Sequence, residues 1–333
     1  MIKLDESYAD KLKNKKFIDL FCGLGGFRLA LESYGAKCVF SSDIDKHVSK
    51  TYENNFGTYP LSDITKVDER DIPSHDILCA GFPCQAFSIS GKQMGFEDTR
   101  GTLFREVVRI AKYHKPELLL LENVKNLEKH DNGRTFNVIK ENIEHIGYNM
   151  YHQVINASQY GVPQARERIY MVCIRKDLDN GNYVFPKPLK NNKCVKDILL
   201  NSNEVEKYII SKPFQLKAGE EEKVRYEIFN KPLRVGTVNK GGQGDRIYDP
   251  MGQAITLSAE GGGTGARTGL YFVDGVVRKL HPRECARLMG YPENYVINES
   301  VNQAHKQFGN SVVVDVLQYV VKNIIDGGSI KNG

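Results

Sequence analysis

FIDLFCGLGG, Phe17 to Gly26, decides how the first half of this chain is read. Phe17-Ile-Asp-Leu-Phe21 is an apolar run of strand length, and it ends in the glycine-rich turn Cys22-Gly-Leu-Gly-Gly26. Helical spacing follows through Leu29, Ala30 and Tyr34 and stops at Gly35. Strand, glycine turn and helix in that order open a βαβ unit, in which glycines let the backbone approach a ligand at the carboxyl edge of a parallel sheet. Lys37 to Ser42 reads as the second strand and ends in the acids Asp43 and Asp45. Asp43 stands about 20 residues past the turn, where a carboxylate can take ribose hydroxyls. Turn and acid together favour an adenosine-containing cofactor, either a dinucleotide or S-adenosylmethionine; a plain tight turn is the bland alternative. A Walker A phosphate loop is absent, because neither Gly244 nor Gly91-Lys92 is followed by the required residues.

The alternation continues. Ile77 to Ala80 reads as a strand, Leu103 to Tyr113 as a helix, Leu118-Leu-Leu-Leu121 as a strand leading into Glu122-Asn-Val124, and Arg168 to Arg175 as another strand. This pattern predicts an α/β fold with a doubly wound, Rossmann-like parallel sheet. After about Pro188 the texture changes to polar sequence and then to a glycine-rich tract with β-like pieces, Arg234 to Gly269. Helical spacing returns at Pro282 to Met289 and from Val312 to Ile325. The expected organisation is a catalytic and cofactor-binding domain over 1–195, completed by 310–333, a smaller and mostly β target-recognition domain over 196–281, and a connecting segment over 282–309.

Composition narrows the setting. Of 333 residues, 41% are hydrophobic and 26% charged, and no run approaches the roughly 18 to 20 apolar residues of a membrane span. The charged start, MIKLDESYADKLKNKK, does not read as a signal peptide, so a cytoplasmic location is expected. Seven scattered cysteines suit free thiols in a reducing compartment and give no zinc-ligand spacing; no metal is expected. The net charge of +5 is localised: Lys223 to Arg287 carries eleven Lys/Arg against six Asp/Glu, and the rest balances at 35 each. That points to a polyanionic partner, with a solvated basic face as the alternative. No repeat suggests assembly, and a monomer is expected.

Three places carry candidate chemistry. Cys84, in GFPCQ (Gly81 to Gln85), lies just beyond a strand end behind a rigid proline, where a thiol can ionise and attack. The long loop to Gly101 has few anchors and can close over a substrate. Glu122 follows four leucines and so stands at the mouth of the same crevice, able to hydrogen-bond or protonate a base edge. Gln164-x-Arg166-x-Arg168 puts two guanidiniums on one face of an extended segment, able to hold Glu122 or grip a phosphate.

Six ordered motifs, FxGxGG (Phe21 to Gly26), GFPCQ, ENV (Glu122 to Val124), QxRxR, RKLHPRECARLMGYP (Arg278 to Pro292) and FGNSVV (Phe308 to Val313), resemble the DNA (cytosine-5) methyltransferase family over nearly the whole chain. The resemblance implies a methyltransferase that uses S-adenosylmethionine and acts on a cytosine flipped out of double-stranded DNA. Cys84 matches the nucleophile that adds to carbon 6, Glu122 the acid at ring nitrogen 3 and the exocyclic amine, and Arg166 and Arg168 the residues that hold the glutamate and the flipped nucleotide. Phe21, Gly23, Gly25, Asp43, Ile44, Asp63, Ile64, Pro83, Leu103, Asn310 and Val312 match cofactor-pocket positions. Asp43 is one methylene shorter than the glutamate of the most similar relative, and Ile44 replaces a tryptophan that stacks on adenine. Ser88, Ser90, Gln243, Arg246, Thr256, Ser258 and Gly263 match DNA contacts; Ser90 and Gln243 fill the vacated space and Arg246 reads guanine, which an arginine can pair bidentately in the major groove.

The relative implied is a bacterial restriction-modification enzyme that methylates the inner cytosine of GCGC, with a cognate restriction endonuclease in the same system. Glu260 here replaces a tyrosine of its recognition element, and Thr264-Gly265 a bulkier pair, so another CG-containing palindrome is the alternative. Other readings are a tRNA cytosine-5 methyltransferase of the same fold, a catalytically dead DNA-binding module, and a nicotinamide dehydrogenase, which explains the glycine turn but not GFPCQ.

Overall fold

The computed structural model describes residues 5–83, 103–190, 193–221 and 223–328. In chain order the elements are β1 (Lys16–Leu20), α1 (Gly26–Glu32), β2 (Lys37–Ser42), α2 (Lys46–Phe56), β3 (Ile77–Ala80), α3 (Phe104–His114), β4 (Leu118–Val124), α4 (Arg134–His145), β5 (Tyr148–Asn156), β6 (Gln164–Ala165) and β7 (Glu167–Arg175). There follow β8 (Phe214–Leu216), β9 (Leu233–Val238), β10 (Arg246–Asp249), β11 (Ala254–Ile255), β12 (Leu270–Val273), β13 (Val276–Arg278), α5 (Pro282–Leu288), α6 (Val301–Asn310) and α7 (Val314–Asp326).

The chain divides into two compact units. The first comprises the described residues of Lys3–Ile155, Glu167–Lys187 and Leu317–Gly333, and the second those of Asn156–Arg166 and Pro188–Val316. The first unit is built on a six-stranded sheet of order β2-β1-β3-β4-β7-β5. Its β1, β2, β3 and β4 run parallel, and β7 pairs antiparallel to β4. Central strands covered on both faces cannot alternate, which is why Leu118 to Leu121 is a continuous apolar run, each residue at most 1% exposed. Ile18, Leu78, Leu119 and Met171 from the sheet meet Val107, Ile110, Ile139 and Ile143 from α3 and α4 in one core.

In the second unit a five-stranded sheet of order β13-β12-β10-β9-β8 closes a small core of Val235, Val238, Ile247, Leu270 and Val277. Beside it β6 pairs with β11. The division differs from the sequence expectation at three places. Residues 156–166 join the second unit because β6 finds its only described strand partner in β11. The stretch expected as a connector, 282–309, is part of the body of that unit, with α5 and α6 in it. The return to the first unit comes at Leu317, within α7, rather than at 310.

Motif LHPREC explains its own place in the second unit. Pro282 opens α5, and Glu284 is fully buried and accepts from both terminal nitrogens of Arg278 (2.8 and 2.7 Å) and from the backbone N–H groups of His281 (2.7 Å) and Leu200 (2.8 Å). Four donors offset the desolvation of a carboxylate that would otherwise be costly inside.

Candidate active site

In a sheet of order 2-1-3-4, the chain reverses its winding between β1 and β3, and ligands bind outside the carboxyl ends of the strands at that switch point. Both sequence-predicted loops leave the sheet there: Phe21 to Gly25 from β1, and Gly81 to Pro83 from β3. Phe21 has φ 55°, so β1 ends one residue before the expected strand does, and the chain turns through Gly23 (φ 52°) and Gly25 (φ 74°) into α1. A Cβ on Gly25 would lie 2.4 Å from the ring of Phe56, so only glycine fits; one on Gly23 would meet nothing nearer than 4.0 Å, which leaves open space over the turn.

Asp43 ties the turn to the end of β2. One carboxylate oxygen accepts from the Gly23 N–H at 2.9 Å and the other from the Asp45 N–H at 2.9 Å. Burial pushes this carboxyl above its ordinary value, against the pull of those two N–H groups. A carboxylate can accept about four hydrogen bonds, so Asp43 keeps acceptor capacity for a hydroxyl donor. The next residue, Ile44, is 74% exposed, an apolar side chain standing free beside the turn. Asp63 is turned onto its own backbone, accepting from the Thr65 N–H (3.1 Å) and hydroxyl (2.7 Å). Ile64 lies in the core, Leu103 is half-buried as the N-cap of α3, and Pro83 is exposed.

Strand β4 runs three residues further than its leucines suggest, which places Glu122 inside it and opposite Tyr170, with Val124 opposite Arg168. Diagonal neighbours on one face of an antiparallel pair come within side-chain reach. Accordingly, Arg168 Nε lies 3.3 Å from Glu122 Oε1, with the two side chains 16% and 10% exposed. Arg168 also donates to the Glu167 carbonyl at 2.8 Å.

Asn123, which the sequence reading passed over, has a role of its own. It is buried, and its Nδ2 donates to the Phe82 carbonyl at 2.8 Å, fixing the chain two residues before position 84. The available signal was an amide inside a strand whose neighbours are leucines. Cys84, Ser88 and Ser90 lie outside the described residues. The six described cysteines are unsuited to nucleophilic work. Burial pushes the thiols of Cys22, Cys79, Cys173 and Cys285 far up and Cys38 to about 12, and it raises that of Cys194 as well.

The two arginines of QxRxR part company. The strand pattern breaks at Arg166, between β6 and β7, so the residues do not share one extended face. Arg166 is buried and donates to the carbonyls of Leu257 (2.9 Å), Gly309 (3.1 Å) and Ser311 (2.6 Å) within the second unit. Arg168 is ion-paired with Glu122. Gln164, also buried, accepts from the Leu257 N–H (3.0 Å) and donates to the Leu288 carbonyl (2.9 Å). These bonds join β6 to the segment that carries Thr256 and Ser258 and to the ends of α5 and α6. Thr256 is half-buried and its hydroxyl donates to the Ala165 carbonyl at 2.6 Å; that of Ser258 donates to the Glu260 carbonyl. Gly309, in FGNS, packs against the Ser258–Ala259 backbone so closely that a Cβ would sit 2.2 Å from it. Asn310 is exposed and Val312 buried.

Gln243 opens a single turn that ends at Arg246, the first residue of β10. Gln243, Glu260 and Gly263 are exposed and Arg246 half-buried. Among the described residues no cluster of three or more His, Cys, Asp or Glu side chains is arranged to hold a metal, and no helix is long and apolar enough to cross a membrane.

The sequence model of the C-5 cytosine-specific DNA methylase family matches residues 15–326. The chain belongs to that family and is a DNA (cytosine-5) methyltransferase. Over 314 residues it is 56% identical to the type II methyltransferase M.HhaI of Haemophilus parahaemolyticus, covering 94% of this chain and 95% of that protein. It is 44% identical over 320 residues to the type II methyltransferase M1.ScrFI of Lactococcus lactis subsp. cremoris, covering 95% of this chain and 79% of that one. Among solved structures, S. pombe Dnmt2 methyltransferase aligns with a TM-score of 0.70 at 20% identity, over 94% of this chain and 98% of that one, which shows a shared fold. The family resemblance and the Rossmann-like fold expected from it therefore hold, and the dehydrogenase alternative falls.

Proposed function

We propose that this enzyme transfers a methyl group from S-adenosylmethionine to carbon 5 of a cytosine flipped out of duplex DNA, at the inner cytosine of GCGC, as the modifying half of a type II restriction system. The observation that carries this reading is the buried Glu122–Arg168 pair at the carboxyl edge of the sheet, in a chain 56% identical to M.HhaI. The cofactor fits the β1 edge: open space over Gly23, the remaining acceptor capacity of Asp43 for ribose hydroxyls, and exposed Ile44 as an apolar face for adenine. Phe21, Pro83, Leu103, Asp63 and Ile64 complete the proposed pocket, and the family resemblance implies Asn310 and Val312 as further cofactor-binding residues. Bound S-adenosylmethionine supplies an electrophilic methyl group on a cationic sulfur.

The protein's own groups make carbon 5 nucleophilic. The Cys84 thiolate adds to carbon 6, and the electron pair of the 5,6 double bond becomes available at carbon 5. Glu122 hydrogen-bonds ring nitrogen 3 and the exocyclic amine, where charge collects during that addition, and Arg168 holds the Glu122 carboxyl in position. After methylation, loss of the carbon-5 proton returns the carbon–sulfur electron pair to Cys84 and restores the ring. Carbon 6 is covered while the base is stacked, so the nucleotide must rotate out, at a cost of roughly a few kcal/mol. Ser90 and Gln243 fill the gap, Arg246 reads guanine, and Ser88, Thr256, Ser258 and Gly263 contact the DNA, with the second unit as the recognition domain. The substrate is cytoplasmic DNA, met by a monomer, with a cognate endonuclease acting separately.

Bisulfite sequencing of a mixed-sequence plasmid incubated with the enzyme and S-adenosylmethionine tests this, with Cys84→Ala as the blank. Protection confined to GCGC is expected, with Cys84→Ala inactive but still DNA-binding. Protection at another CG palindrome would replace the site and keep the chemistry. Protection of tRNA but not of DNA would overturn the substrate.

A further inference from the structure

Glycines 244, 263 and 265 bring two loops of the second unit into backbone contact. A Cβ on Gly244 would lie 1.9 Å from the Gly262 carbonyl oxygen, one on Gly263 2.9 Å from the Gly244 carbonyl carbon, and one on Gly265 2.6 Å from Leu270 Cγ. The Gly265 N–H donates to the Gly244 carbonyl at 2.6 Å.

One carboxylate locks it. Asp245 Oδ1 accepts from the Thr264 backbone N–H at 2.9 Å and from Asn239 Nδ2 at 3.2 Å. The Thr264 hydroxyl in turn receives Asn239 Nδ2 and Lys212 Nζ, each at 3.3 Å. The Asp245 carbonyl accepts from the Thr237 hydroxyl at 3.2 Å, and Thr237 is the strand partner of Arg246. An acid adjacent to an arginine would ordinarily be available to neutralise it. Here Asp245 is turned onto the opposite loop, and among the described residues Arg246 has no ion pair, while its buried Nε has no acceptor. The clip thus does two things: it sets where Arg246 leaves the turn, and it keeps the adjacent carboxylate off the guanidinium.

We propose that Asp245 is a positioning residue for sequence recognition, clipping the Gln243–Arg246 turn to the loop at Thr264 so that Arg246 is presented unpaired to guanine. The proposal rests on the reading of Arg246 as the guanine reader, and the test separates the two. kcat/KM is measured for the full-length enzyme on duplexes carrying the cognate site and each single-base variant of it. Asp245→Ala lowers discrimination at the base pair read by Arg246 by about tenfold, with kcat on the cognate site retained. Asp245→Asn keeps an acceptor for the Thr264 N–H and restores most of the discrimination. Asn239 has φ 47°, so Asn239→Gly removes the second donor without backbone strain and gives a smaller loss at the same pair; it serves if Asp245→Ala does not fold. In an Arg246→Ala background Asp245→Ala adds nothing.

Unchanged discrimination in both Asp245→Ala and Asn239→Gly, with discrimination lost in Arg246→Ala, overturns the clip and leaves the guanine reader standing. Further loss in the Arg246→Ala background overturns it too, because Asp245 would then act on the DNA itself. Unchanged site preference in Arg246→Ala removes the guanine reader and the proposal together.

Discussion

Two glycine-rich stretches of this enzyme do different work. At the carboxyl edge of the large sheet, Gly23 holds a left-handed turn and leaves the volume above it empty. Gly244 and Gly263 have no such vacancy, because the space a side chain would take is filled by the other loop's backbone. One stretch leaves space beside the sheet edge; the other brings two loops into backbone contact. The same split runs through the arginines. Arg168 pairs with Glu122, whereas Arg166 donates to three carbonyls of the second unit.

If chemistry and recognition are divided in this way, changes at the sheet edge slow methylation equally at every DNA site, and changes in the loops alter which site is chosen. The largest effect is expected at Glu122. Glu122→Gln should lower kcat by roughly 10²- to 10⁴-fold with DNA affinity retained, measured by single-turnover methylation; a loss that depends on flanking sequence would break the division. Gly244→Ala comes next. With a backbone oxygen 1.9 Å from the new methyl group, it should destabilise the recognition loops by about 1–3 kcal/mol and relax site choice. Unchanged melting and unchanged site preference would mean that the loops are not in backbone contact.

Asn123→Ala leaves the buried Phe82 carbonyl without its donor, at roughly 1–3 kcal/mol. Thiol-trapping of Cys84 by a substrate analogue should slow in that variant while cofactor binding stays intact, and equal trapping rates would show that Asn123 does not steady the loop. A pH dependence is shared by the two units. Burial depresses His75 in the first unit and His305 in the second from 6.5 to about 4. Both are neutral in folded and unfolded chains above pH 6.5, so their full contribution is present there. Below it only the unfolded chain takes up protons, and stability falls by about 1.4 kcal/mol per pH unit for each until about pH 4. Urea denaturation at pH 7 and 5.5 checks this: His305→Asn should flatten the slope, and a slope equal to the parent's would mean that His305 is not held neutral.

Much of the first unit was legible because parallel strands under two helical layers must be continuously apolar. Lys37–Ser42 and Ile77–Ala80 end where the spacing places them. The polar helices α2 and α4 are not legible in the sequence, because their buried faces rest on few residues, such as Tyr52, Phe136 and Ile139. The extra length of β4 was hidden by its polar end: Glu122 and Asn123 look like a loop until their partners on β7 and at Phe82 are known. Arg166 and Arg168 look equivalent in sequence, and only the break between β6 and β7 separates them.

The sequence by itself determined the four parallel strands of the sheet, the glycine turn beside an acid, and the family whose motifs it carries, since each depends on local spacing and residue type; the antiparallel turn of β7 and the edge strand β5 came from the tertiary structure. Tertiary structure alone decided which arginine faces Glu122, that Glu284 of LHPREC is a buried anchor, and that Asp245 bridges two loops. Those outcomes depend on contacts between residues far apart in the chain, where a donor is claimed by whichever acceptor the fold brings within about 3 Å.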